Sequence, residues 1–194
     1  MRHFYAFLFR MRNIRRCGLM RSVEPETLAE HSLLTAILAH GLASIGRDVF
    51  GCDYNPDKLA VRAIFHDAAE IITGDMPTPI KYKTRALRQA YADVERDASE
   101  RLLSMLPDQM RDGYAELFGG GGLSGREQTL LRAADKLAAH IKCLEELSFG
   151  NREFSTAAKQ TLDKLKAMDC MELDYFIENF LPSFTLTLDE QEPV

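Results

Sequence analysis

Helix punctuation constrains this chain more than any other feature of its sequence. In PETLAEHSLLTAILAHGLASIG (25–46), Thr27 and Glu30 stand three residues apart, the spacing of a capping box, and Gly46 offers a stop. Ser124 and Glu127 repeat the device ahead of a helix expected to run to about Gly150. Asn55-Pro56 supplies an N-cap followed by proline at the first helical position, for a helix expected to end at Gly74. The prolines of DMPTP (75–79) cannot continue that helix and force a turn. Further helices are expected over 3–14, 84–106, 108–118, 155–168 and 170–180, with Pro107 ending the long one. Strand-like alternation is confined to FTLTL (184–188). The expected fold class is therefore all-α: one helical bundle of about seven or eight helices. It forms a single domain over 1–194, with the Gly-rich stretch 119–125 as an internal loop.

A length of 194 residues is enough for one domain with a sizeable core or at most two small ones, and 46% hydrophobic with 27% charged residues marks a globular chain. The net charge of −5 argues against a general nucleic-acid-binding surface. Cys17, Cys52, Cys143 and Cys170 form no CxxC pair, which points to free thiols in a reducing compartment and argues against a zinc ribbon or disulfide framework. The first 21 residues carry six arginines and no acid, yet lack an uninterrupted apolar region and a small-residue cleavage site, so they do not read as a secretory signal. No apolar stretch approaching the ~20 residues of a membrane span is expected. The competing reading, a basic helix on a membrane or RNA, predicts binding that collapses with salt and survives metal removal. The expectation is a cytoplasmic protein with neither nucleic acid nor membrane as partner, whose N-terminal helix packs on the core and turns arginines toward an anionic ligand.

Chemistry concentrates in three stretches. Leu28, Thr35, Leu38 and Leu42 form one apolar stripe, and His31 falls within it. In IFHDAAEIITGDMPTP (64–79), His66 and Asp67 lie about 100° apart around a helix axis and can converge on one point. In TLLRAADKLAAHIKCL (129–144), Asp135 sits amid Leu131, Ala134, Ala138 and Ile141. A His-Asp dipeptide alone is weak evidence, and a lone inward histidine is commonly just hydrogen-bonded. An inward aspartate is costlier and usually has a cation beside it. Two imidazoles and two carboxylates suit one divalent transition metal with room for water. Such an ion lowers the pKa of a bound water from about 15.7 toward ~7. Glu70, one turn beyond His66, is placed to accept a proton from it. Asp75, after Gly74, either protonates a leaving group, orients the nucleophile, or is an ordinary turn residue. RRCGLMR (15–21), Thr78 and Lys81 offer the charge and donors that a phosphate needs.

The order His31, His66-Asp67, Asp135 resembles the HD-domain superfamily of metal-dependent phosphohydrolases. The blocks RRCGLMR, AEHSL, FHDAAEIITGDMPTPIKY, ADKLAAHIKCLEELSFGN and MELDYFIENFLPSFTLTLDE extend the likeness over nearly the whole chain, to the bacterial YfbR-type 5′-deoxynucleotidases. This resemblance implies a single HD domain in which His31, His66, Asp67 and Asp135 bind one divalent metal, cobalt or manganese. It implies that Arg16 orients the substrate phosphate, that Glu70 and Asp75 handle water and protons, and that Arg16, Cys17, His31, Asp67 and the run Asp75, Met76, Pro77 and Thr78 contact the nucleotide. The implied reaction releases inorganic phosphate from deoxyribonucleoside 5′-monophosphates, in a homodimer. One departure stands out: the family often has Trp-Pro where this chain has Cys17-Gly18. The missing aromatic surface beside the sugar either widens the pocket toward ribonucleotides or is made good by another chain. Two alternatives stay open at this level. One is an HD hydrolase of ribonucleoside monophosphates, triphosphates or phosphodiesters; the other is a nucleotide-binding module without turnover.

Overall fold

The structure is a computed structural model, and it describes residues 1–81, 83–119 and 121–191, with only the backbone at Thr78. In chain order the helices are α1 (Phe4–Leu8), α2 (Leu28–Asp48), α3 (Pro56–Phe65), α4 (Glu70–Thr73), α5 (Thr78–Lys81), α6 (Arg85–Ser104), α7 (Asp108–Leu117), α8 (Gly125–Ser148), α9 (Ser155–Lys166), α10 (Met171–Asn179) and α11 (Leu188–Gln191). Short 3₁₀ turns follow α1, precede α9 and follow α10. No strand forms among the described residues; Arg15 and Thr27 make an isolated antiparallel bridge. The all-α expectation holds.

Both capping boxes form. Thr27 N–H donates to Glu30 Oε2 at 2.7 Å while Glu30 N–H donates to Thr27 Oγ1 at 3.3 Å. Ser124 and Glu127 exchange the same pair of bonds at the start of α8. Asn55 accepts from Lys58 N–H ahead of Pro56, and Gly74, at φ +75°, ends α4.

Four expectations need correction. The helix foreseen from Asn55 to Gly74 breaks after Phe65, and residues 66–69 turn through i+3 hydrogen bonds such as Glu70 N–H to Asp67 O at 2.9 Å. Adjacent side chains on a regular helix diverge, whereas here His66 Nε2 and Asp67 Oδ2 approach to 3.0 Å. Gly46 does not stop α2, which continues to Asp48; a Cβ there would lie 2.5 Å from the Tyr54 ring, so the glycine serves close packing. FTLTL adopts no strand, since Leu181–Thr185 is 3₁₀ and α11 begins at Leu188. Finally, α2 is by length and composition apolar enough to cross a membrane, with a mean hydropathy of 1.3, contrary to the expectation that no such stretch exists. More than half of that window is buried inside the protein, as for a core helix. In the 119–125 loop, Gly120 lies outside the described residues.

The chain divides into two compact units. The first comprises Met1–Arg21, Pro25–Leu33 and Ile64–Gly122. Its core gathers Phe4, Leu102 and Leu106, with Ile71, Ile72, Tyr114 and Phe118 packed around them. Phe4 meets Tyr114 edge to face at 4.9 Å between centroids. The second comprises Ser22–Glu24, Leu34–Ala63 and Leu123–Val194. Leu42, Leu59, Leu130, Leu137, Leu165 and Leu173 are fully buried in its core, each worth roughly 1.5–3 kcal/mol of transfer free energy. Glu146 is also fully buried there, accepting from the backbone N–H groups of Val23 and Glu24 and from Asn151 Nδ2, and it pairs with Lys142 Nζ at 3.0 Å. Burial alone would raise its pKa, but these donors outweigh that and hold the carboxyl at about 2.

Candidate active site

Capping of α2 at Thr27 sets the helical phase that turns His31 inward, and His31 is completely buried, as are Leu28 and Thr35. The break at 66–69 brings His66 and Asp67 to the same place: Asp67 Oδ2 is 3.0 Å from His66 Nε2 and 3.9 Å from His31 Nε2. One ligand-type atom from each of His31, His66, Asp67 and Asp135 lies within 4.8 Å of the other three. Asp135 is one-third exposed, at the edge of the buried face of α8; Leu130, Ala133, Ala134 and Leu137 form its centre, so Asp135 is less central than the sequence pattern placed it.

The set fits a divalent cation. Its four ligand-type atoms are close enough to share one ion, and imidazole with carboxylate is the donor mix of transition metals. By contrast His140, buried on α8, has its Nδ1 2.9 Å from Thr161 Oγ1 and behaves as a hydrogen-bonded core histidine.

Arg16 lies in the extended segment before α2. Its Nε donates to Glu26 Oε2 at 3.1 Å and its Nη1 to Asp67 Oδ2 at 3.3 Å, so two carboxylates aim the guanidinium at the ligand group. Cys17 takes a left-handed conformation (φ +54°) and its N–H donates to Asp75 Oδ2 at 2.9 Å, fixing the turn that follows Gly74. Glu70 is 6% exposed, and its Oε2 has no hydrogen-bond partner among the described residues. Burial pushes its pKa up to about 8, the carboxylates of Asp67 and Asp75 add to the rise, and Arg16 and Lys81 oppose it. A buried carboxyl facing two others is poised for proton transfer.

Met76 and Pro77 are half-buried in the turn beyond Asp75, and the side chain of Thr78 lies outside what the structure describes. Lys81 is one of the positive charges the sequence offers to a phosphate. Its Nζ pairs with Glu95 at 2.7 Å over the Tyr91 ring. Sequence reasoning missed Glu26, which sits 3.8 Å from His31 Nδ1 while holding Arg16. The available signal was that an inward arginine needs a carboxylate partner. It also missed Tyr91, whose hydroxyl donates to Gly74 O at 3.2 Å and braces the turn; no local pattern marks that residue.

Two solved structures that share this fold are HD-domain phosphohydrolases. An HD-domain phosphohydrolase from Listeria innocua superposes with a TM-score of 0.82 at 26% identity, covering 94% of this chain and 88% of that one. The cyanophage S-2L HD phosphohydrolase, bound to dA and one catalytic Zn²⁺, shares the fold at a TM-score of 0.68 and 20% identity, over 94% and 96% of the two chains. Fold and ligand group together define an HD-domain phosphohydrolase. The narrower kinship comes from sequence. 5′-deoxynucleotidase YfbR of Salmonella paratyphi B is 45% identical over 188 residues, 97% of this chain and 94% of that protein. The model of the YfbR-like 5′-deoxynucleotidase family matches residues 3–184, and the chain belongs to that family.

Proposed function

We propose that this protein hydrolyses deoxyribonucleoside 5′-monophosphates to deoxynucleosides and inorganic phosphate. The observation that carries the reading is the guanidinium of Arg16 held 3.3 Å from Asp67, itself one of four ligand-type residues clustered within 4.8 Å. Family membership supports the substrate class. His31, His66, Asp67 and Asp135 hold one divalent cation, cobalt or manganese, which when bound supplies Lewis acidity and makes water more acidic.

This chain's own groups do the rest. Arg16, aimed by Glu26 and Asp67, clamps the phosphate and offsets charge gathering on its oxygens. A cation held beside it would favour the ionised form of Glu70, which takes the proton as the water oxygen bonds to phosphorus. The P–O5′ bond breaks, and the proton taken up by Glu70 passes through the Asp75 carboxylate to O5′. Asp75 is held in place by the Cys17 N–H. Cys17, Met76 and Pro77 line the sugar and phosphate, with His31 and Asp67 at the phosphate end.

The match across 3–184 supports reading 1–194 as one HD domain. Four free cysteines support a reducing, cytoplasmic setting. The chain works as a homodimer, and exposed Leu34 and Ile37 along α2 are apolar surface such an interface would cover.

Phosphate release from a panel of deoxy- and ribonucleoside monophosphates, with cobalt or manganese added, tests the reading beside Asp67→Ala. Wild type releases phosphate from the deoxy substrates. The variant stays folded by circular dichroism but loses both bound metal and turnover. Binding without turnover under every condition overturns the proposal in favour of a non-catalytic module.

A further inference from the structure

The second unit contains a cavity of about 810 Å³ at the start of α8, within the size range of small-molecule sites. Tyr54, Leu130 and Met168 give it an apolar and aromatic lining. Arg126, Arg132, Lys136 and Lys164 also line it, against only two carboxylates, Asp169 and Glu172, on a chain whose net charge is −5. Arg132 and Lys164 have no carboxylate within ion-pair distance among the described residues. Gly125 and Arg126, the first residues of the 24-residue α8, border the cavity, so the positive end of a long helix dipole adds to the excess.

Glu172 makes the site more selective than a basic patch. It is 3% exposed, lines the cavity, and accepts from the Cys170 thiol at 3.4 Å and the Cys52 thiol at 3.9 Å. Burial pushes the Cys170 thiol up to about 12, so it remains a donor at neutral pH. A carboxylate so placed can accept from an exocyclic amino group, an apolar and aromatic lining suits a nucleobase, and guanidinium and ammonium groups suit phosphates.

We propose that this cavity is a second, non-catalytic site for a nucleoside polyphosphate whose base carries an amino group. The base lies against Tyr54, Leu130 and Met168 with its amino group toward Glu172, and the phosphates meet Arg132 and Lys164. None of these residues belongs to the hydrolytic site, so the inference stands or falls separately from the proposed reaction.

Equilibrium dialysis of the full chain against ATP, tripolyphosphate and adenosine tests it. Arg16→Ala, which lacks the catalytic phosphate clamp, retains one ATP per chain with unchanged affinity. Arg132→Ala with Lys164→Ala weakens ATP binding at least tenfold while hydrolysis of monophosphates continues. The single change Lys164→Glu, on the exposed face of α9, gives a similar loss and guards against misfolding of the double variant. Tripolyphosphate and adenosine each bind at least tenfold more weakly than ATP. ATP binding that is absent up to millimolar concentration, lost with Arg16→Ala, or indifferent to the charges at 132 and 164 overturns the proposal. Tripolyphosphate binding as tightly as ATP overturns it as well.

Discussion

Glu70 is buried, has one oxygen without a hydrogen-bond partner among the described residues, and faces the charges of Asp67 and Asp75. Its carboxyl keeps a proton to about pH 8 in the fold but releases it near pH 4.5 when unfolded. Between those values the native state binds more protons, so cation-free protein loses stability as pH rises through that window. Urea midpoints measured in a chelator from pH 5 to 8 will show this slope, and Glu70→Gln will flatten it. The same substitution is expected to lower kcat by about 10²–10⁴-fold, the usual share of general acid–base catalysis, without loss of bound metal. Cys17 carries a separate expectation. If residue 17 lies against the sugar, its lack of an aromatic ring weakens selectivity for deoxyribose over ribose, and Cys17→Trp will raise the ratio of deoxy- to ribonucleotide kcat/KM. A ratio unchanged by the added ring would show that the sugar does not lie against residue 17.

At the scale of elements, the α8 helix carries more than Asp135. Glu146 anchors Val23 and Glu24 to it through two backbone hydrogen bonds. With its pKa depressed to about 2, the stability it contributes is complete above about pH 4.5 and is lost as pH falls toward 2. Glu146→Ala leaves Lys142 buried without this partner and is expected to cost about 3–5 kcal/mol by thermal or urea unfolding at pH 7. The loss relative to wild type should shrink on acidification below pH 4. The boundaries of α8 were legible because its capping box lies within four consecutive residues, Ser124 to Glu127. The break between α3 and α4 was not. Phe65 to Glu70 contains neither glycine nor proline, and the turn is expressed in the convergence of His66 and Asp67 on His31, which lies 35 positions earlier in the sequence.

For the whole molecule, bound cation is folding free energy. A ligand at about 100 times its Kd stabilises by roughly 2.7 kcal/mol, so chelation will lower the melting temperature, and cobalt or manganese will restore it. Asp67→Ala should show little response to either treatment. The same pattern in wild type and variant would mean that the ion binds elsewhere.

Much of the candidate site could be read in advance. His31, His66, Asp67 and Asp135 fall at inward or convergent positions, and the surrounding blocks carry the family likeness. Hydrophobic periodicity and caps are local, so the chain's own residues determined the helical class and most helix ends and singled out the candidate ligand residues. Partnerships over long separations depend on which side chains packing brings together. Only the tertiary structure decided that Glu26 aims Arg16, that Lys81 belongs to Glu95, that Tyr91 braces Gly74, and that a helix breaks where His66 and Asp67 turn inward. Each of these is a contact of charge or hydrogen bond whose free energy exists once folding has removed water and fixed both partners, and no pattern along the chain encodes it.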